Sequence, residues 1–269
     1  MRLLVIVAGT LVVCYLALLG VLYLWQSRMI FFPQAQLRAN PSQYKLEFED
    51  ATFMSGSEML HGWFLAGRPG QPVVLYCHGN AGNISDRLAE IRAIHEEGLS
   101  VLAFDYAGYG WSTGKPSEIQ MYVDAAAAFS WLLKRGFAAS RIILFGESLG
   151  GAVAAQLASV TKPLLVVLEG TFPSLPEVAS LHYAWVPVDL LLKYRFDTRA
   201  HLSRVKCPVV ILHSRQDELI PFEMARQLCL GRGRSCRFIE VTGTHNTMPP
   251  VPWSRILSEN GIKRSDPKP

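Results

Sequence analysis

Ile142-Ile143-Leu144-Phe145-Gly146-Glu147-Ser148-Leu149-Gly150-Gly151-Ala152-Val153-Ala154-Ala155 is a short apolar strand, a Gly-x-Ser-x-Gly turn and the start of an Ala-rich helix, in that order. A serine at such a junction sits on a turn too sharp for bulky neighbours, so its hydroxyl projects from the end of a sheet. Gly146 and Gly150 let strand and helix approach closely, and Gly151 relieves crowding in the first helical turn. The helix N-terminus behind the serine favours negative charge developing beside it. Gly-x-Ser-x-Gly by itself is common. With a strand before it and a helix after it, it reads as a nucleophile elbow, with Ser148 the nucleophile.

A serine hydroxyl attacks only when a base takes its proton, and the base needs an acid to orient it. After Ser148, Val210-Ile211-Leu212-His213-Ser214-Arg215-Gln216-Asp217-Glu218-Leu219-Ile220-Pro221 is a strand running into an acidic loop. Asp217 stands just past the strand end, with Glu218 its competitor; the Asp-x-x-Ile-Pro spacing favours Asp217. The next strand, Phe238-Ile239-Glu240-Val241, leads through Thr242-Gly243-Thr244 to His245, the expected general base. His61 precedes the elbow, His95 lies in an early helix, His213 sits inside a strand, and His182 and His201 belong to a later excursion.

An oxyanion formed at the attacked carbonyl needs fixed N–H donors. The amide of Leu149, the residue after the nucleophile, is expected to be one. The loop His78-Gly79-Asn80-Ala81-Gly82-Asn83 follows the apolar run Val73–Cys77 and should supply the other, assigned to Asn80 with Gly79 next. His78 and Asp105 are expected to order loops. Asn83-Ile84-Ser85 fits a glycosylation sequon that a neighbouring pocket would make incidental.

Strands at about 45–51, 60–66, 73–77, 100–104, 142–147, 164–168, 208–213 and 237–241 alternate with helices near 85–97, 116–135 and 222–230, after an opening antiparallel pair. That alternation implies an α/β fold, a mostly parallel sheet covered by helices on both faces. Residues 171–205 break it with Phe172, Pro173, Pro176, Tyr183, Trp185 and Pro187, and are expected to form a small cap insertion over the pocket.

Residues 3–25 carry no charge over 23 positions. As a helix, that run spans roughly 35 Å, enough to cross a hydrocarbon core of about 30 Å. It exceeds the apolar region of a signal peptide, and Trp25-Gln26-Ser27-Arg28 is a poor cleavage site, so a retained N-terminal transmembrane helix is expected. Positive residues at both ends leave its orientation open. The expected organisation is anchor 1–28, connector 29–44, a domain over 45–260 with the cap at 171–205, and a disordered tail 261–269.

The 269 residues have mean hydropathy +0.20, raised by the N-terminus, and a net charge of +4. That charge, without a basic stripe interleaved with aromatics, argues against a nucleic-acid partner. Neither metal-ligand spacing nor a phosphate or dinucleotide loop is present, so no metal or cofactor is expected. Five cysteines make no framework; Cys229 and Cys236 are near enough in sequence to pair, a question left open here.

On His78-Gly79-Asn80-Ala81-Gly82-Asn83, Asp105-Tyr106-Ala107-Gly108-Tyr109-Gly110, Gly146-Glu147-Ser148-Leu149-Gly150-Gly151 and Arg195-Phe196-Asp197, the chain resembles the α/β-hydrolase superfamily. More narrowly it resembles the BEM46-like group of membrane-anchored serine hydrolases, over roughly 45–250. The resemblance implies an α/β-hydrolase fold, Ser148, Asp217 and His245 as a triad, and an N-terminal anchor. The expected activity is cleavage of a carboxylic ester of a small-molecule acyl substrate, lipophilic by the aromatic cap and anchor. Peptidase or amidase and acyl-thioesterase chemistry use the same machinery. A non-catalytic membrane-tethered binding protein on this fold is the rival from another class. Oligomeric state is not readable.

Overall fold

The computed structural model describes residues 1–262; the expected disordered tail lies outside them from residue 263 onward. In chain order the elements are α1 (Arg2–Ile30), β1 (Phe32–Pro33), β2 (Glu49–Ser55), β3 (Glu58–Leu65), β4 (Val73–Cys77), β5 (Ala81–Gly82), α2 (Leu88–Glu96), β6 (Ser100–Phe104), α3 (Glu118–Lys134), β7 (Ile142–Glu147), α4 (Leu149–Val160) and β8 (Leu165–Glu169). Then follow α5 (Leu175–His182), α6 (Val188–Leu191), α7 (Thr198–Leu202), β9 (Val209–Ser214), α8 (Phe222–Leu230), β10 (Cys236–Val241) and α9 (Trp253–Glu259).

Eight strands form one sheet in the order β10-β9-β8-β7-β4-β6-β3-β2. β2 is antiparallel to β3 and β3 to β6; every other neighbouring pair is parallel. The opening hairpin starts at Glu49, four residues later than the apolar pattern suggested, and ends at Leu65. The expected early helix divides into a 3-10 turn, Ile84–Arg87, started by the Asn83 capping box, and α2.

Side chains alternate across the pleat, so each parallel strand feeds two cores. Leu75, Leu102, Leu144, Val166 and Ile211 pack with α3 and α4 on one face. Val74, Val101, Ile143, Val167 and Val210 pack with Ile91 of α2 and Trp253 of α9 on the other. This double burial is why the strands read as unbroken apolar runs.

From β4 the chain crosses to β6 on one side, and from β7 it crosses to β8 on the other. β4 and β7 are neighbours, so their carboxyl ends flank the crevice that such a switch in strand order opens. The loops after β4, β7, β9 and β10 converge on that edge. Residues 171–205 leave the sheet after β8 and hold α5, α6 and α7.

α1 is the one helix among the described residues long and apolar enough to cross a membrane. It continues to Ile30, beyond the uncharged run. The segment after it is pinned: β1 pairs in parallel with β5, and Asn83 Nδ2 donates to the carbonyls of Gln34 and Gln36, both at 2.9 Å. Asn83 is fully buried by these contacts, so the sequon is closed to a glycan. A disulfide joins Cys229 of α8 to Cys236 of β10.

Candidate active site

Ser148 is held at φ +51°, a left-handed conformation that non-glycine residues rarely adopt. Its N–H donates to the Glu169 carbonyl at 2.8 Å, and its carbonyl accepts from Thr171 Oγ1 at 3.1 Å. A Cβ on Gly146 would run into Gly150 and Gly151, and one on Gly150 into the Cys77 and His78 carbonyls. The glycines are therefore required by contact between β7, α4 and the end of β4. Gly151 faces Thr171 across the elbow, a crowding partner from the segment just after β8 that the local sequence did not reveal.

Ser148 Oγ lies 3.0 Å from His245 Nε2, and His245 Nδ1 lies 2.8 Å from Asp217 Oδ2. Asp217 Oδ1 accepts the amides of Leu219 at 2.9 Å and Ile220 at 2.8 Å. Burial alone would raise the Asp217 pKa. The bonds from the His245 ring and the Ile220 and Leu219 amides outweigh it and hold the carboxyl below its ordinary range. Glu218, the competitor, turns away from the ring and accepts the His245 main-chain N–H at 3.0 Å. The structure thus brings Ser148, His245 and Asp217 into one hydrogen-bonded line from three separate loops.

Leu149 opens α4, where a main-chain N–H has no intrahelical acceptor. The loop after β4 lies beside the elbow: a Cβ on Gly79 would sit 3.5 Å from the Ser148 Cβ, and Asn80 lines the same cavity as Ser148 and Leu149. That loop is fixed on every side. Asn80 Nδ2 donates to the Ile30 carbonyl at 2.8 Å, and the Asn80 carbonyl accepts from Phe32 N at 2.9 Å and Tyr109 Oη at 2.8 Å. His78 Nδ1 is 2.7 Å from the Gly79 carbonyl and its Nε2 is 3.4 Å from Asp105, whose Oδ1 accepts the Ile84 amide at 2.9 Å. Beneath the elbow, Glu147 takes Arg87 Nε at 2.7 Å and Tyr76 Oη at 2.6 Å.

Ser148, Leu149, Asn80 and His245 all line one cavity of about 630 Å³. Its remaining surface is mostly apolar: Leu22 and Met29 of α1, Phe172, Leu175 and Val178 after β8, and Leu219 beside Asp217. Among the described residues no group of His, Cys, Asp and Glu is placed to hold a metal ion.

Two contributors escaped the sequence. His213, passed over as a strand histidine, is fully buried and lies 3.4 Å from Asp217 Oδ2. A polar ring in an apolar strand must find a partner, and that was the available signal. The share of α1 in the cavity had no local signal at all.

The alpha/beta hydrolase fold family matches residues 72–201. The chain is 35% identical over 243 residues to the uncharacterized protein Rv2307c of Mycobacterium tuberculosis, covering 88% of this chain and 86% of that one. It is 29% identical to protein bem46 of Schizosaccharomyces pombe, over 76% of this chain and 73% of the relative. To the lysophosphatidylserine lipase ABHD12 of Danio rerio it is 32% identical, over 58% of this chain and 46% of the relative. In fold it is similar to the Pyrococcus furiosus esterase Pf2001, with a TM-score of 0.66 at 20% identity, over 81% and 90% of the two chains.

Proposed function

This chain belongs to the α/β-hydrolase family, in its BEM46-like group, and from that premise we propose that it is a membrane-anchored serine hydrolase cleaving carboxylic esters of lipophilic acyl groups. The observation that carries the proposal is the 3.0 Å and 2.8 Å line Ser148–His245–Asp217 at one boundary of an apolar cavity. In this mechanism His245 Nε2 takes the Ser148 proton as Oγ attacks the ester carbonyl. Asp217 holds the Nδ1–H tautomer and stabilises the imidazolium that forms. The Leu149 and Asn80 amides donate hydrogen bonds to the oxyanion. His245 then protonates the departing alkoxide, leaving an acyl-Ser148 that water releases by the same steps.

The acyl preference rests on the cavity lining and on a relative that acts on a lysophospholipid, a lipid with a single acyl chain. The anchor rests on α1, whose length and apolarity suit a bilayer. Fluorophosphonate labelling of the detergent-solubilised chain tests the proposal. Ser148 should be modified, and Ser148→Ala should abolish both labelling and turnover of acyl esters. Unchanged turnover in Ser148→Ala would end it.

A further inference from the structure

α1 is not a free tether. Tyr15, Leu19, Leu22, Gln26 and Ile30 follow one another at three- and four-residue steps, which lays them along one face of the helix. Leu19 and Gln26 on that face are the buried residues of α1. The cap, residues 171–205, is bonded to this face at Tyr15 and Gln26. Tyr15 Oη donates to the Trp185 carbonyl at 2.8 Å. Gln26 Nε2 donates to the Leu191 carbonyl at 3.3 Å, and its Oε1 accepts the Lys193 amide at 2.7 Å. The Lys193 ammonium sits 3.9 Å from the centre of the Tyr23 ring.

These contacts fix the depth of the cap once α1 spans a bilayer. A hydrocarbon core of about 30 Å needs about 20 helical residues. The uncharged run holds 23, so a window starting at Leu3 ends at Leu22, and any later start ends nearer Trp25. Every such window contains Tyr15, at least seven residues from its catalytic-domain end. At 1.5 Å per residue, Tyr15 and the Trp185 carbonyl bonded to it lie about 10 Å or more below the hydrocarbon surface. The Gln26–Leu191 and Tyr23–Lys193 contacts then fall at the headgroup level, where an ammonium and an aromatic ring are both at home.

The surface of the cap has the matching chemistry. Leu181, Tyr183 and Trp185 are exposed beside the deep end of the contact, Trp185 by 53%. Leu190, nearer the headgroups, is 85% exposed. Main-chain groups at that depth need internal partners; α5 supplies them within the helix and Tyr15 satisfies the Trp185 carbonyl. The same two elements, α1 and the cap, supply most of the apolar lining of the cavity that holds Ser148 and His245.

We propose that the cap is immersed in the leaflet beside α1, and that the cavity takes its substrate, a single-chain acyl-ester lipid, sideways from the bilayer along the seam between the cap and the helix. This rests on the hydrolase and anchor reading above. The acyl chain enters between Leu22 and Met29 on one side and Leu175 and Val178 of α5 on the other, and brings its ester to Ser148 without crossing water.

The test uses the full chain in phosphatidylcholine vesicles. The fluorescence of Trp185 is taken as the difference between the wild type and Trp185→Phe. Lipids brominated along the acyl chain should quench it, and aqueous iodide should not. Leu181→Glu and Leu190→Glu, both at exposed positions, should lower hydrolysis of a vesicle-held long-chain lysophospholipid by roughly tenfold or more, since a charge there opposes immersion. Turnover of a water-soluble butyrate ester and fluorophosphonate labelling should stay within about twofold, because the groups doing chemistry are untouched. Iodide quenching of Trp185, shielding from iodide without quenching by brominated lipid (a protein partner or second copy over the cap), or an equal fall on both substrates would each overturn the proposal. A wild type that neither labels nor cleaves the butyrate ester would defeat the hydrolase reading instead, and the quenching result would still decide where the cap lies.

Discussion

His213 Nε2 lies 3.4 Å from Asp217 Oδ2, the same oxygen that receives the His245 ring at 2.8 Å. That His213 nitrogen also faces the Ile220 carbonyl at 2.8 Å, and the Ile220 amide returns to Asp217 Oδ1 at 2.8 Å. Burial holds the His213 pKa below its ordinary value, and the Ile220 carbonyl, which can only accept, takes its hydrogen bond from Nε2. Ile220 thus bridges the two side chains, its carbonyl bonded to His213 and its amide to Asp217, and with the His213 ring against Oδ2 this fixes the carboxylate under His245. His213→Phe leaves the Ile220 carbonyl without its donor, at a cost of about 1–3 kcal/mol in stability. Turnover of a soluble ester should fall about tenfold with KM little changed, as expected when only the orientation of the acid is loosened. His213→Gln, which retains a donor, should recover part of both losses. Thermal melts and steady-state kinetics on the two variants check this.

Asp217 and Glu218 are adjacent carboxylates with different partners, and substitution should separate them. Ser148→Ala and His245→Ala should each lower kcat by about four orders of magnitude or more, and the double variant scarcely further, because the groups act as a unit. Asp217→Asn should cost nearly as much by favouring the wrong His245 tautomer. Glu218→Gln keeps an acceptor for the His245 main-chain N–H and should stay within about tenfold of wild type, since a neutral acceptor weakens but does not remove that bond. A larger effect at Glu218 than at Asp217 would reverse the assignment.

What the sequence made legible is what local rules control. The elbow at Ser148, the Gly/Asn loop after β4 and the loops carrying Asp217 and His245 follow strand ends and turn residues, and the chain order fixes their edge of the sheet. The parallel sheet followed from double-sided burial of runs such as Val73–Cys77. What stayed hidden depends on contacts between distant segments. β1 and β5 are two residues each, too short for any periodicity, and they bond residues 49 apart. Leu22 and Met29 look like any other lipid-facing side chains until the cap is seen against them. The start of β2 was misplaced because Leu46 and Phe48 pack under the sheet without joining it, which mimics a strand pattern.

Gly150 gives the sharpest stability prediction. Its α-carbon lies against the carbonyls of Cys77 and His78, main-chain atoms that have no room to retreat. Gly150→Ala should cost more than about 3 kcal/mol, beyond the usual range for overpacking, and leave little folded protein. At Gly79 a Cβ would meet the Glu147 carboxylate at 3.2 Å, a side-chain contact relieved by a shift of a few tenths of an ångström, so Gly79→Ala should fold and lose mainly activity. Yields of folded protein and melting temperatures of the two variants, compared side by side, test the contrast.

Glu90 makes stability depend on pH in a stated direction. Its carboxylate is buried under α9, where Oε1 accepts Trp253 Nε1 at 2.5 Å and Oε2 the Val251 amide at 3.0 Å. Burial outweighs those two bonds and raises its pKa from 4.5 to about 7. Between those values the folded chain holds a proton that the unfolded chain has released, so stability falls as pH rises through the window. The full shift corresponds to about 3 kcal/mol, present below its lower end and lost above its upper end. Glu169, desolvated nearby and raised for the same reason, pushes in the same direction. Glu90→Gln retains an acceptor for the indole and does not titrate. Relative to wild type it should therefore gain stability on going from pH 5 to pH 8. Melting temperatures of both proteins in detergent across that range measure the difference, and a gap that stays constant with pH would mean that Glu90 is ionised throughout.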